Sequence, residues 1–337
     1  MNEMKSTPNK RNLFLVIAAL ASIGVAIVAI NYGNQDPSTG QDRELTIGYF
    51  SRAIGYAPYF VAQEKGWFEE HPALDGKDVK HVIYGDRATI ADSFDSGKLD
   101  VLLSAEIPAI MCRAQGNDIR IIDVTGLITL HWLARSELDA TGMPDFSGKA
   151  VAYQSGTSSH YGLLTTLDRA GLDSSDFTLR NMKAVEAQTA FEAGQVDAWI
   201  VWSPFFEQQV INGKGSVVPN SKYNYATTLT ASQSLIEKEP EVAQALTEIL
   251  DRAQEWIVNN PSEAEEIVAT ATRQELSVAK EALKNVSFSA SLDDEMLNMF
   301  QEMAEFLADN EIVRQGKTVN IREEMYRQLR VPVGAGN

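Results

Sequence analysis

The sequence has one cysteine, Cys112, in 337 residues, so no intrachain disulfide can form. Its neighbours Ile110, Met111 and Ala114 mark an apolar helix position, where a thiol is commonly inert. Histidine is scarce too. The four, at 71, 81, 131 and 160, show no metal-ligand spacing to one another or to Cys112. G-x-S-x-G, a P-loop and H-E-x-x-H are all missing, and no nucleophile–base pair stands out. Basic residues are in deficit, 29 against 46 acidic, for a net charge of −17. That balance argues against nucleic acid and against adsorption to anionic lipid. It leaves an anionic small ligand open, because a local site can oppose the global field. What remains is ample hydrophobic material, 44% of the chain, and a length that suits two globular domains.

The N-terminus differs from the rest. Residues 1–12 carry Lys5, Lys10 and Arg11, and Leu13 to Ile30 is an 18-residue run without charge. A positive start before an apolar stretch reads as an export signal. The run is longer than a usual cleaved signal core and close to the lower limit for a spanning helix. Ile27-Val28-Ala29 is a poor cleavage site, and no cysteine follows for lipid attachment. Segment 13–31 is therefore read as a signal anchor or signal peptide, and 32–43 as a polar linker. Positive-inside bias then places the chain beyond about residue 35 outside the cytoplasmic membrane, with a membrane tie through the N-terminal segment if it is not cleaved.

From Leu45 strands and helices alternate. Strands are expected at 45–50, 79–84, 99–103 and 119–124, with helices at 57–67, 88–96 and 106–115. A second series follows, with strands at 150–153, 177–181, 197–201 and 216–219 and helices at 158–170, 186–193 and 204–212. The pattern predicts open, mostly parallel sheets. The series share a phrase. Phe94-x-x-Gly97-x-Leu99-Asp100-Val101 matches Phe191-x-x-Gly194-x-Val196-Asp197-Ala198. Each reads as a helix, a glycine C-cap and a strand opening near Asp, which suggests two related lobes. The last third is acidic and helical, at 240–259, 262–271, 276–285, 293–309 and 320–329, and is expected to pack on the first lobe.

One junction carries chemistry. Ala150-Val151-Ala152-Tyr153 reads as a strand, Tyr161 to Leu167 as a helix, and Gln154-Ser155-Gly156-Thr157-Ser158-Ser159-His160 lies between. Hydroxyls and free N–H groups at a helix start form a receptor for a small anion, although Ser and Thr also serve as plain caps.

Four motifs in order resemble the periplasmic solute-binding proteins of ABC importers, in the nitrate, sulfonate and taurine branch (the aliphatic sulfonate-binding, NMT1-like proteins). They are Ile47-Gly48-Tyr49 with Ala57 to Phe68; Leu99-Asp100-Val101 through Pro108 to Gly116; Gly148 to Ala152 with Gly156 to Tyr161; and Gly194 to Pro204, which includes Asp197-Ala198-Trp199-Ile200-Val201-Trp202. The resemblance covers about 45–235 well and the helical tail loosely. It implies an α/β, bilobal type II periplasmic binding protein fold, two open α/β lobes joined by two hinge strands. Lobe 1 is expected at 44–126 and 228–330, and lobe 2 at 127–227. It also implies capture of a small organic anion, an aliphatic sulfonate or taurine, and delivery to ABC permease subunits by a monomer without cofactor, metal or catalysis. Nitrate and a thiamin-pyrimidine precursor remain alternatives.

In such sheets ligands sit beyond the carboxyl ends of strands. Thr157, Ser158 and Ser159 would hold the anionic head, and His160 would be either a neutral donor or a structural residue. Arg87 would meet the anion bidentately or merely open a helix, and the resemblance offers it no support because the family position is usually small or polar. Trp202 would form a wall or a cation–π face, while Trp199 belongs to the core. Tyr49 and Tyr56 would close the opposite side, and Ser104 and Thr125 stand at further strand ends. Asp100 and Asp197 are read as structural. Two other readings stay open: a pyridoxal-phosphate enzyme of thiamin-pyrimidine synthesis using Lys149, and a membrane-tethered sensor subunit.

Overall fold

The computed structural model describes residues 44–313, 318–327 and 329. The expected segments 1–12, 13–31 and 32–43 lie outside them. Among the described residues no helix is long and apolar enough to cross a membrane.

Two mixed sheets organise the chain. In the first half, strands β1 (Leu45–Tyr49), β2 (Val79–Ile83), β3 (Val101–Ala105) and β4 (Ile119–Leu130) alternate with α1 (Ala57–Glu64), α2 (Trp67–Glu70), α3 (Arg87–Asp95) and α4 (Glu106–Ala114). The second series is β5 (Trp132–Arg135), β6 (Ala150–Tyr153), α5 (Ser158–Ala170), β7 (Thr178–Asn181), α6 (Ala184–Glu192), β8 (Ala198–Ile200), α7 (Phe205–Ile211) and β9 (Gly215–Val217). The chain returns through β10 (Tyr223–Ser232) to α8 (Gln233–Lys238), α9 (Pro240–Asn259), α10 (Pro261–Thr272), α11 (Leu276–Leu283), β11 (Val286–Ser287) and α12 (Asp294–Asp309). The first sheet has the order β11-β4-β10-β3-β1-β2, the second β7-β6-β8-β5-β9.

The crossovers are parallel as expected: β1 with β2 and β3, and β6 with β7 and β8. Antiparallel members are added by β10 between β3 and β4, and by β5 between β8 and β9. The expected lobe borders, 126/127 and 227/228, fall inside β4 and β10. Both strands stay in the first sheet, paired from Leu130–Tyr223 to Ile119–Ser232. The chain passes between sheets at His131, linking β4 to β5, and after β9, before Tyr223.

The repeated phrase has one physical meaning in both lobes. Gly97 and Gly194 leave their helices at φ +66° and +71°, a conformation in which glycine carries no steric penalty. Asp100 Oδ2 then accepts from Thr46 N at 3.0 Å, and Asp197 Oδ2 from Ala150 N at 3.0 Å. Each carboxylate thus secures the start of the neighbouring parallel strand. Trp199 is buried against Phe191 and Phe205, and Cys112 is buried as its neighbours suggest.

The tail helices reach the helices of the first half, with Arg252 over the Trp67 ring at 4.0 Å and Lys65 over Trp256 at 4.4 Å. They also touch lobe 2: Asn285 Nδ2 donates to Glu207 Oε1 at 2.8 Å, and Tyr161 meets Phe306 edge-on at 5.1 Å. The helix expected at 320–329 is a short π-helical turn, Ile321–Met325, after which Tyr326 bridges to Ile121. Backbone pairing there replaces helix continuation.

Lobe docking can be tested at Gly162. A Cβ on this α5 residue would stand 2.7 Å from the buried Tyr223 ring. Gly162→Ala gains helix propensity but displaces a ring that has nowhere to go, so it should lower unfolding free energy by about 1–3 kcal/mol. Urea titration measures this.

Candidate functional site

The carboxyl ends of β1, β3, β6 and β8 face one another across the gap between the sheets. A narrow cavity of about 20 Å³ lies there, lined by Phe50, Ser51, Ala53, Tyr56, Ala105, Pro108, Thr157, Ser158, Trp202, Tyr225 and Thr227. That is room for about one water, so a larger head group enters only as the lobes part. Phe50, Ser51 and Trp202 also line a second, wider cavity of about 590 Å³, whose walls include Ile83, Tyr84, Ala184, Val185, Pro204 and Phe205.

The Gly156 turn sets up one wall. Gly156 has φ +71°, and Thr157 caps α5, its Oγ1 accepting from Ser159 N at 3.3 Å and donating to Gln154 O at 2.7 Å. Ser159 Oγ donates to Ile200 O at 2.6 Å and accepts from Gln154 N. Two of the three hydroxyls are therefore used within the protein. Ser158 differs: its Oγ is buried with no hydrogen-bond partner. Among the described residues the N–H groups of Thr157 and Ser158 also have no acceptor, as expected at a helix start.

Three further buried polar atoms around this cavity lack partners: Trp202 Nε1, Tyr225 Oη and Glu106 Oε1. Buried polar groups are almost always paired, so such a cluster calls for an explanation. Burial holds the Tyr225 phenol well above the usual tyrosine range, so it is a neutral donor. The indole can only donate. Apolar walls whose residues carry several unpaired neutral donors can make a receptor for an oxyanion that needs no cation.

Of the ten sequence-predicted site residues, the structure places Tyr56, Thr157, Ser158 and Trp202 on the narrow cavity and the other six elsewhere. Tyr49 is the last residue of β1 and points to the helix layer, its ring 5.4 Å from Tyr59 and 5.9 Å from Phe60. Strand alternation turns the next residue, Phe50, into the cleft instead. Ser104 Oγ donates to Ala105 O, and Thr125 Oγ1 to Thr227 Oγ1 at 2.8 Å, both fully buried. Ser159 is consumed as described. His160 lies against Tyr153, ring centroids 4.9 Å apart, with Nδ1 accepting from Gly156 N at 3.5 Å. Arg87 opens α3 beside Asp86, whose side chain caps the helix. Its Nη1 is buried without a partner, and it reaches toward Gly156, where an added Cβ would lie 3.9 Å from Nε. Lys149 is exposed and lines neither cavity. Glu106 was not among the predicted residues, although it sits in the right segment. A carboxylate carries no sequence signal for an anion site.

Residues 54–264 match the profile of the family described as NMT1/THI5 like. The chain belongs to this family. A Bacillus subtilis (strain 168) protein described as an aliphatic sulfonates-binding protein is 27% identical over 257 residues, 74% of this chain and 77% of that one. The alkanesulfonate-binding protein SsuA of Xanthomonas axonopodis pv. citri, solved bound to MOPS, superposes with a TM-score of 0.73 at 19% identity, covering 86% of this chain and 100% of its own. These neighbours establish the periplasmic binding protein fold for this NMT1/THI5-like chain. The desulfurization enzyme DszB has the same fold (TM-score 0.64, 17% identity, 85% of this chain and 97% of its own), so fold alone does not separate binding from catalysis.

Burial pulls the His160 imidazole down to about 4. His160 is neutral at pH 7, and its contribution to stability is present above about pH 6.5 and lost as pH falls toward 4. His160→Phe, which keeps the ring contact with Tyr153, should flatten the loss of thermal stability across that acid window. Melting temperatures from pH 4 to 7 test it.

Proposed function

We propose that this chain is the substrate-binding component of an ABC importer. It captures a small organic anion, an aliphatic sulfonate, in the inter-lobe cleft outside the cytoplasmic membrane and delivers it to permease subunits. The observation that carries this reading is that three residues lining one cavity, Ser158, Trp202 and Tyr225, each hold a buried neutral donor without a partner, in a lining that contains no cation. Three oxygens of a sulfonate match several donors at once, and the α5 N-terminus adds its N–H groups and dipole. The wider cavity supports a hydrocarbon tail over the ammonium of taurine. Ile83, Val185 and Phe205 line it, and Trp202 stands between head and tail. The kinship with a sulfonate-binding relative supports the same class.

Binding is favoured over catalysis. Lys149, which pyridoxal phosphate chemistry would require, is exposed and away from both cavities. The hydroxyls beside the cavity have no histidine base aimed at them, since His160 is turned to Tyr153 and the Gly156 amide.

A thermal-shift and calorimetric panel tests the reading. Pentanesulfonate should raise the melting temperature by mass action, more than taurine or nitrate. Ser158→Ala and Trp202→Ala should each weaken binding at least about tenfold, or about 1.4 kcal/mol. A response to a pyrimidine and to no sulfonate overturns the ligand class.

A further inference from the structure

Behind Ala105 and Pro108 of the cavity wall lies an acid that an anion receptor should exclude. Glu106 opens α4, is fully buried, and forms no ion pair with a cation among the described residues. Its Oε2 accepts from Ala226 N at 2.9 Å on the hinge strand β10, while Oε1 has no partner. Ser158 links it to the cavity. Ser158 lines the cavity wall, and its hydroxyl is the side-chain group that favours the charged form of Glu106. Ser158 Oγ and Glu106 Oε1 are both buried without a settled hydrogen-bond partner, and the Ser158 hydroxyl is near enough to act on the Glu106 carboxyl.

A hydroxyl has one hydrogen. If Glu106 is ionised, that hydrogen is drawn to the carboxylate, and Ser158 presents lone pairs to the cavity. If Glu106 carries a proton, the acid donates to Ser158 and frees the Ser158 hydrogen for the ligand. Only the second arrangement offers a donor to an oxyanion, and it also removes a like charge from the site. We infer that Glu106 is a positioning residue that couples oxyanion binding to uptake of one solvent proton, with Ser158 relaying the hydrogen bond. This rests on the cleft being the anion site proposed above.

The surroundings agree. Burial raises the Glu106 carboxyl to about 8, with the Ala226 amide and Ser158 pulling the other way. The titratable groups that feel it are phenols: Tyr56 from the turn before α1, Tyr161 from α5, and Tyr223 and Tyr225 from β10, all raised by burial. They stay neutral while Glu106 titrates. On neighbouring elements, Glu302 of α12 and Arg169 of α5 bear on Tyr161, and Glu207 of α7 bears on Tyr223 and Tyr225. Arg87 of α3 bears on Cys112 further along α4, and Asp123 of β4 accepts from the Val124 amide. None of these supplies a counter-charge to Glu106.

The test is calorimetric titration of the full chain with pentanesulfonate from pH 7 to 9.5, in buffer pairs of different ionisation enthalpy. Wild-type affinity should fall about tenfold per pH unit above about pH 8, with nearly one proton taken up per ligand near pH 9. Glu106→Gln keeps an acceptor for Ala226 N and a permanent donor for Ser158. It should hold its pH 7 affinity within about threefold and show neither slope nor proton uptake. Should that variant fold poorly, infrared difference spectra of the wild type at pH 9 serve instead: sulfonate should add a carboxylic-acid carbonyl band. Flat wild-type affinity to pH 9.5, a slope surviving in Glu106→Gln, or no added band each overturns the coupling while leaving sulfonate binding intact. No sulfonate binding at pH 7 overturns the underlying ligand reading itself.

Discussion

Everything in this molecule depends on the antiparallel ladder between β4 and β10. These strands lie side by side in the first sheet, carry the chain to and from the second, and supply Tyr225 and Thr227 to the cavity wall. Their pairing runs from Tyr223–Leu130 to Ser232–Ile119, with irregularities between Thr227 and Thr228 and between Leu229 and Thr230. At its centre the hydroxyls of Thr125 and Thr227 bond to each other and to Gly55 O. A Cβ at Gly55 would meet Thr227 Cγ2 at 2.4 Å. This knot brings the turn after β1 against the hinge, which positions Tyr56, Tyr225 and Thr227 on the cavity.

The alternation of elements, the lobe repeat and the Gly156 to Ser158 turn were legible because each depends on local chemistry. Gly97 and Gly194 leave helices where only glycine sits easily, and Asp100 and Asp197 then meet backbone amides one strand away. What escaped depends on tertiary pairing. The continuation of β4 to Leu130 and the strand β5 follow from partners far along the chain, β10 and β8. The choice of Tyr49 over Phe50 is an error of one residue, which in a strand reverses the face. Ser104 stands near the end of β3 as expected, whereas the continuation of β4 puts Thr125 in mid-strand; close packing sends the Ser104 hydroxyl to Ala105 O and the Thr125 hydroxyl to Thr227.

The proposed site would let a chain of net charge −17 receive an anion. Its donors are neutral dipoles held in an apolar pocket, where each hydrogen bond is stronger than in water. On that reading selectivity lies in the number of donors and in the shape of the wider cavity. Asn285 on Glu207 and Phe306 on Tyr161 tie elements of the second sheet to the helical layer that packs on the first.

The most direct measurement is a crystal structure of the chain with pentanesulfonate bound. The account requires the sulfonate oxygens within hydrogen-bond distance of Ser158 and Trp202 Nε1, with the alkyl chain running past Trp202 toward Ile83 and Val185. A ligand seated elsewhere, or one turned with its alkyl end against Ser158, would contradict it.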